Sequence, residues 1–130
     1  AVYFDLKTKQ LGPTFYMALD VNEQIARGRK PTGDTIKWWI QQSADAKKVF
    51  AEATKPAKEV LEIFARWMLI NNKDAYVWGN GSTFDISIME DLFKDYGLTR
   101  PWKYNRVMDM RTFKRFNNKG VMTKSIGVAH

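Results

Sequence analysis

The sequence contains no cysteine and a single histidine, His130. The absence of cysteine excludes disulfide bonds, thiolate catalysis and cysteine-ligated zinc. No apolar run approaches the roughly 20 residues that a membrane-spanning helix needs, and the start of the chain shows no secretory signal peptide. We therefore expect no membrane partner. The same absences are compatible with a reducing compartment, and we expect a cytoplasmic protein.

The chain also lacks internal repeats, low-complexity segments and any long linker. Its 130 residues are the length of one domain. With 45% hydrophobic and 27% charged residues, the chain is able to bury a core. We predict a single domain over residues 1–130.

Acidic residues are scarce only towards the end of the chain. Residues 1–99 carry 13 basic and 13 acidic residues, whereas residues 100–130 carry eight basic residues against Asp109 alone. This stretch therefore accounts for the whole net charge of +7. A basic block confined to one stretch is typical of a protein that binds a polyanion; a solvated basic surface without a partner is the alternative.

The hydropathy pattern predicts an antiparallel strand pair at the start, over residues 1–6 and 13–19 with a turn at 8–12. Residues 21–29 are ambiguous, with at most one or two helical turns. Asp34 and Ser43 are candidate caps for short helices over 35–42 and 44–53.

A long helix is predicted to begin at Pro56 and to end near Ile70. Its apolar stripe is Val60, Leu61, Phe64, Ala65 and Met68. The next elements predicted are a buried strand over 75–78, a turn over 79–82, a helix over 84–96 that ends at Gly97, and a strand over 107–110. This order predicts a mixed α/β layer fold.

Asp85 is a carboxylate on the apolar side of the predicted helix over 84–96. Its spacing places it with the stripe formed by Ile88, Met89, Leu92, Phe93 and Tyr96. Burial of a carboxylate costs several kcal/mol unless it is paired or binds a metal. The helix N-terminus offsets only about 0.3–1 kcal/mol of this cost. Asp85 is therefore either a cap or a metal ligand at the carboxyl edge of a strand.

Three segments together resemble a known nuclease family. They are Thr35-Ile36-Lys37-Trp38-Trp39 with Gln42-Ser43, Val77 to Asp85, and Arg106-Val107-Met108-Asp109-Met110-Arg111-Thr112. Their order and spacing are similar to those of DEDD-type 3′-to-5′ exonucleases, in particular the exonuclease-VIII-like and phage exonuclease A branch related to ribonuclease T. The resemblance covers nearly the whole chain.

The resemblance implies a ribonuclease-H-like mixed sheet flanked by helices. It also implies a site of four acidic residues and one histidine that holds two Mg²⁺ or Mn²⁺ ions about 4 Å apart. Asp85 matches the third acid, a metal ligand, and His130 matches the histidine, which acts as general base. The implied substrates are 3′ ends of single-stranded DNA or RNA, and the implied reaction is two-metal phosphodiester hydrolysis.

Two parts of the family pattern are missing from these residues. No Asp-x-Glu motif lies on a first strand, since Asp5 is followed by Leu6-Lys7, and the fourth acid would lie beyond His130. We expect the first strand and the C-terminal helix of the family to lie outside this chain, which by itself would bind metal poorly and be nearly inactive. The alternative function is a catalytically inactive nucleic-acid-binding module that uses the basic segment 100–124.

Four further residues are candidates for contact with nucleic acid. Asn80 contacts substrate or braces its turn, and Trp38 stacks on a base or lies in the core together with Trp39. Arg111 holds a phosphate or forms an ion pair with Asp109 on a strand. Lys114 is part of the basic segment, where it would contact the substrate backbone. The residue types alone do not predict an oligomeric state.

Overall fold

The computed structural model describes residues 1–30, 32–44, 48–52 and 54–117. The chain divides into two compact units, Ala1–Trp67 and Met68–His130. The prediction of a single exonuclease domain that lacks the family's first strand and last helix stays a prediction.

The first unit opens with an antiparallel strand pair, β1 (Val2–Phe4) and β2 (Leu11–Thr14). The turn between them is organised by Asp5, whose Oδ1 accepts the backbone N–H groups of Lys7 at 2.7 Å and Thr8 at 3.2 Å. Such a local bond is the usual role of aspartate in a turn. The predicted strand pair is confirmed, but the second strand begins and ends earlier than predicted. Asp5 is part of the turn, so the first strand ends at Phe4 and is shorter than the predicted 1–6.

Among the described residues of the first unit, three short helices follow: α1 (Val21–Ala26), α2 (Gly33–Ile40) and α3 (Val49–Glu52). The segment that was ambiguous in sequence is helical because the Asp20 carboxylate accepts the N–H groups of Asn22 and Glu23. The N–H of Thr35 donates to the Thr32 hydroxyl at 3.2 Å, while Asp34 lies inside the first turn of α2. The prediction of Asp34 as the cap was therefore wrong. Part of the predicted helix over 44–53 lies outside the described residues.

The long helix α4 (Ala57–Asn72) is confirmed, but it begins directly after Pro56, one residue later than predicted. Its N-terminus is tied to α1, because the Glu23 carboxylate accepts the Ala57 N–H at 2.9 Å. The predicted apolar stripe is correct: Val60, Leu61 and Met68 are buried, and Leu61 is 2% exposed. Full burial of one such side chain stabilises the fold by about 1.5–3 kcal/mol.

Aromatic rings pack α4 against the strand pair. The Phe15 ring lies 5.2 Å from Phe64 and 5.5 Å from Trp67, and the Tyr3 ring lies 5.0 Å from Trp67. Tilted contacts at these distances contribute about 0.5–1.5 kcal/mol each beyond burial. The strand pair is therefore held mainly by its contact with α4, since a two-stranded hairpin alone is marginally stable.

The described part of the second unit is built on two parallel strands, β3 (Val77–Gly79) and β4 (Val107–Asp109). Val77 pairs with Val107, and Gly79 pairs with Asp109. The helix α5 (Ser82–Asp95) and a 3₁₀ turn (Tyr104–Arg106) lie between the strands in the chain. The helix α6 (Met110–Phe116) follows β4 at once. The strand predicted over 107–110 therefore ends one residue early, and the short helix after it was not predicted.

The core of the second unit lies under α5. Its buried side chains include Ile86, Leu92, Phe93, Trp102 and Met110. The Phe93 and Trp102 rings meet edge to face at 5.8 Å, and so do Trp78 and Phe113 at 5.5 Å. The predicted stripe on α5 is partly wrong, because Ile88 is 40% exposed and the buried Ile86 was not in it.

Helices and small sheets alternate along the chain, so the predicted α/β class is correct at this level. The ribonuclease-H-like arrangement stays a prediction. Within the described ranges, no helix combines the length and the apolarity required to cross a membrane.

Candidate functional site

The carboxyl ends of β3 and β4 lie side by side, and the residues that follow them form one edge of the second unit. Asp109 is the last residue of β4, opposite Gly79 at the end of β3. Its carboxylate accepts the N–H groups of Gly81 at 3.4 Å and Ser82 at 3.2 Å, and the Ser82 hydroxyl at 3.4 Å. It also accepts the Arg111 N–H at 2.8 Å. One carboxylate therefore caps the N-termini of both α5 and α6.

The surroundings of Asp109 keep it ionised. Partial desolvation raises its pKa, but the backbone hydrogen bonds from Ser82, Arg111, Gly81 and Thr112 outweigh this and hold the pKa below its ordinary value. A carboxylate that accepts this many hydrogen bonds stays charged and stabilises the local structure. Its link to Arg111 runs through the backbone N–H at the start of α6. The predicted alternation of these two residues along a strand was therefore wrong.

Gly81 brings the Arg111 guanidinium against the turn between β3 and α5. Gly81 has φ +95°, a conformation that L side chains rarely adopt. A Cβ at this position would lie 3.3 Å from Arg111 Nη1 and 3.5 Å from Cζ. The Arg111 guanidinium thus lies next to the space that a side chain at position 81 would fill. Arg111 is exposed, so it is accessible to a ligand at this edge.

Asp85 lies in the first turn of α5, at the same edge. Its N–H donates to the Gly81 carbonyl at 3.1 Å, and its side chain is half-buried. The close packing of α5 on the end of β3 sets its position, because a Cβ on Gly79 would lie 3.4 Å from the Asp85 Cβ and 3.2 Å from the Ser82 Cα. The predicted position on the core side agrees with the structure. A carboxylate in the first helical turn is also stabilised by the helix dipole.

The structure brings three of the candidate residues around this turn. Asn80 is half-buried within the turn itself, Asp85 follows it on α5, and Arg111 lies against Gly81. Lys114 lies on α6, half-buried, in the same unit. Trp38 lies on α2 in the first unit and is 50% exposed, so it is not a core residue. His130 lies outside the described residues.

The described residues do not by themselves complete a divalent-ion site. Among them, no group of three or more acidic or histidine side chains is placed to hold a metal. Mg²⁺ and Mn²⁺ require several oxygen ligands, and at this edge Asp109 is already engaged by backbone donors. Among the described residues at this edge, Asp85 is thus the carboxylate that remains a candidate ligand.

The role of Asp109 as a double cap was missed in sequence. Part of the signal is local, since an aspartate directly before a short apolar and basic segment is a typical helix start. Its bonds to Gly81 and Ser82 join residues 28 and 27 positions apart, and no local pattern predicts them.

Comparison with known protein families identifies a match over the whole chain. The model of the 3′-5′ exoribonuclease Rv2179c-like domain matches residues 1–130. No match was found among curated proteins or among solved structures. Since the family model matches the chain from its first residue to its last, this chain belongs to the family of 3′-5′ exoribonuclease Rv2179c-like domains.

Proposed function

We propose that this domain shortens RNA from its 3′ end by metal-dependent hydrolysis of phosphodiester bonds. The observation that carries the proposal is the position of Asp85, a half-buried carboxylate in the first turn of a helix that directly follows a strand. In a chain of an exoribonuclease-like family, this is a suitable position for a metal ligand at the carboxyl edge of a sheet. RNA is the substrate class named in the family description.

Asp85 is proposed as the metal ligand that this chain contributes, with the remaining ligands outside the described residues. Two divalent ions, Mg²⁺ or Mn²⁺, supply activated water and charge stabilisation in sites of this kind. His130 is proposed as the general base, because imidazole is the side chain that most often accepts a proton in this role.

Substrate contacts are proposed for two residues around the same turn, Arg111 and Asn80, and for two residues elsewhere in the chain. Arg111 presents an exposed guanidinium, a group suited to bidentate contact with phosphate. Asn80 lies in the turn and is able to donate or accept hydrogen bonds. Lys114 on α6 adds positive charge, and the exposed Trp38 provides a ring for base stacking. The ribonuclease-H-like fold, the DEDD-type phage branch and a cytoplasmic location are further parts of this proposal.

A second candidate is a nucleic-acid-binding module without catalysis, which uses the basic segment 100–124. The observation that favours it is the lack of a complete acidic cluster among the described residues. Such a module would bind nucleic acid through the charge of this basic segment alone.

Degradation of end-labelled RNA by the full-length protein distinguishes the two candidates. With Mg²⁺, the exonuclease should convert 5′-labelled single-stranded RNA into a ladder of shorter labelled products, and should release labelled mononucleotide at once from 3′-labelled RNA. Chelation of the metal should stop both reactions. Comparison with the degradation of single-stranded DNA of the same sequence measures the preference for RNA over DNA. Binding without any degradation in Mg²⁺ or Mn²⁺ would establish the binding module instead.

A further inference from the structure

The amino ends of β3 and β4 carry a second cluster of charged and aromatic side chains. We call it the tyrosine patch, and its residues are Lys73, Asp74, Tyr76, Lys103, Tyr104 and Arg106. All belong to the second unit. The patch lies at the edge opposite to Asp85, because Tyr76 precedes β3 and Arg106 precedes β4.

Positive charge dominates the tyrosine patch. Lys103 Nζ lies 2.7 Å from Asp74 Oδ1. The hydrogen bond and the charge of Lys103 lower the pKa of Asp74 most, and Lys73 and Arg106 lower it further. The patch therefore contains three cations and one carboxylate, which leaves a net charge of two positive charges. A single strand of RNA, with one phosphate per nucleotide, matches this excess.

Two tyrosine rings are exposed beside these cations. Tyr104 is 77% exposed at the start of the 3₁₀ turn, and Tyr76 is 52% exposed. The Arg106 guanidinium lies 4.6 Å from the centre of the Tyr76 ring. Exposed aromatic rings and guanidinium planes are the surfaces on which unpaired bases stack. An acidic peptide would be attracted by the positive charges of the patch, but it has no bases to stack on the tyrosine rings.

We propose that the tyrosine patch binds single-stranded RNA, with one base stacked on Tyr104 and the adjacent phosphates held by Lys73 and Arg106. This inference rests on the proposed exonuclease function, since it extends the path of the same substrate. Four residue steps separate Tyr76 from Asn80, which corresponds to roughly 13 Å at the rise of a strand. The patch is therefore separate from the reacting end, and it contacts nucleotides farther from the 3′ terminus.

Fluorescence anisotropy with labelled single-stranded RNA tests the proposal in the full-length protein. The test uses two lengths of RNA. An oligonucleotide of about 12 nucleotides lies within the usual length of a single-strand binding site, and one of about 3 nucleotides is shorter than such a site. Tyr104→Ala should weaken binding of the longer RNA by about 5-fold to 150-fold, the range for loss of one stacked base. Tyr104→Phe should restore it, because the ring is kept. Binding and turnover of the shorter RNA should not change.

Matched controls come from the first unit. Tyr16→Ala removes a tyrosine that is 70% exposed, and Lys58→Gln removes an exposed lysine on α4; neither should affect binding of the longer RNA. Lys73→Gln should weaken this binding and lower its salt dependence. Wild-type affinity of Tyr104→Ala for the longer RNA would overturn the proposal. So would a poly-glutamate peptide that competes with the RNA and depends equally on Tyr104.

The outcomes also separate this proposal from the proposed function. Loss of affinity in Tyr104→Ala, in a protein that never degrades RNA, would support the patch and reject the exonuclease. Normal degradation with no effect of Tyr104→Ala on any RNA length would support the exonuclease and reject the patch.

Discussion

The carboxylate of Asp109 accepts both the backbone N–H of Ser82 at 3.2 Å and the Ser82 hydroxyl at 3.4 Å, across 27 positions of sequence. The same carboxylate caps α6 through Arg111. This contact fixes the start of α5 relative to the end of β4, and therefore the position of the turn that carries Asn80 and leads to Asp85.

Asp109→Ala should lower the melting temperature and loosen the start of both helices, because their N–H groups lose an acceptor. Asp109→Asn should have a smaller effect, since its amide oxygen is still able to accept. Thermal unfolding followed by circular dichroism measures both variants, with Glu62→Ala on the exposed face of α4 as the neutral control. Equal melting temperatures for wild type and Asp109→Ala would show that the double cap does not stabilise the fold.

The same residue predicts a pH dependence. The folded state lowers the pKa of Asp109, so its contribution is fully present above the unfolded value of about 3.9. The contribution is lost as the pH falls through the lower, folded value. The difference in melting temperature between wild type and Asp109→Ala should therefore shrink in acid. A difference that grows as the pH falls would contradict the direction of the shift.

Gly81→Ala should destabilise the protein by about 1–2 kcal/mol, the cost of a left-handed conformation for an L residue. The new methyl group would also press on the Arg111 guanidinium, 3.3 Å away. Gly33→Ala is the matched control, because Gly33 lies in α2 with nothing within 4 Å of the added Cβ. That change should be neutral or stabilise by about 0.4–1 kcal/mol. Urea unfolding of both variants gives the comparison, and equal effects would reject the strain argument.

Asp85→Asn in the full-length protein should abolish Mg²⁺-dependent degradation of RNA while the melting temperature stays close to that of wild type. The amide keeps the size of the side chain but loses the charge that binds a divalent ion. Asp91→Asn, an exposed change on the same helix, should keep full activity. Normal degradation and normal Mg²⁺ dependence in Asp85→Asn would remove Asp85 from the metal site.

His130→Ala should slow turnover by about 100-fold or more, which is the usual scale for loss of a general base. The affinity for RNA should change little, because the proposed role is proton transfer. Single-turnover cleavage at saturating RNA isolates this step. A rate equal to that of wild type would assign His130 a role outside the chemistry.

Replacement of both Lys114 and Arg115 by Gln should weaken binding of all RNA sequences alike. Each lost phosphate contact should flatten the slope of log affinity against log salt by about 0.7 for a single strand. Single-turnover cleavage at saturating substrate should be nearly unchanged, since neither side chain is proposed to touch the reacting phosphate. Binding isotherms at several salt concentrations measure the slope, and identical slopes would show that these two charges do not contact RNA.

Local features of the sequence were sufficient for much of the secondary structure. The stripe on α4 and the end of α5 at Gly97 were predicted correctly, and the start of α4 was predicted to within one residue, because helix periodicity, proline and glycine act within a few residues. The position of Asp85 on the core side of α5 followed from the same periodicity. The short helix α6 was missed because Met108 to Arg111 alternates like a strand, whereas the Asp109 cap begins a helix there.

The sequence by itself determined where α4 and α5 lie, the side of α5 on which Asp85 sits and the confinement of the basic excess to residues 100–130, since each depends on residue type and local spacing. Only the tertiary structure decided that Asp109 caps α5 as well as α6, that Arg111 lies against Gly81 and that Tyr76 meets Arg106. These contacts join residues that are distant in the chain. They form because the parallel pairing of β3 with β4 sets Val77 beside Val107 and Gly79 beside Asp109, and strand register is a property of the folded sheet that no short segment encodes.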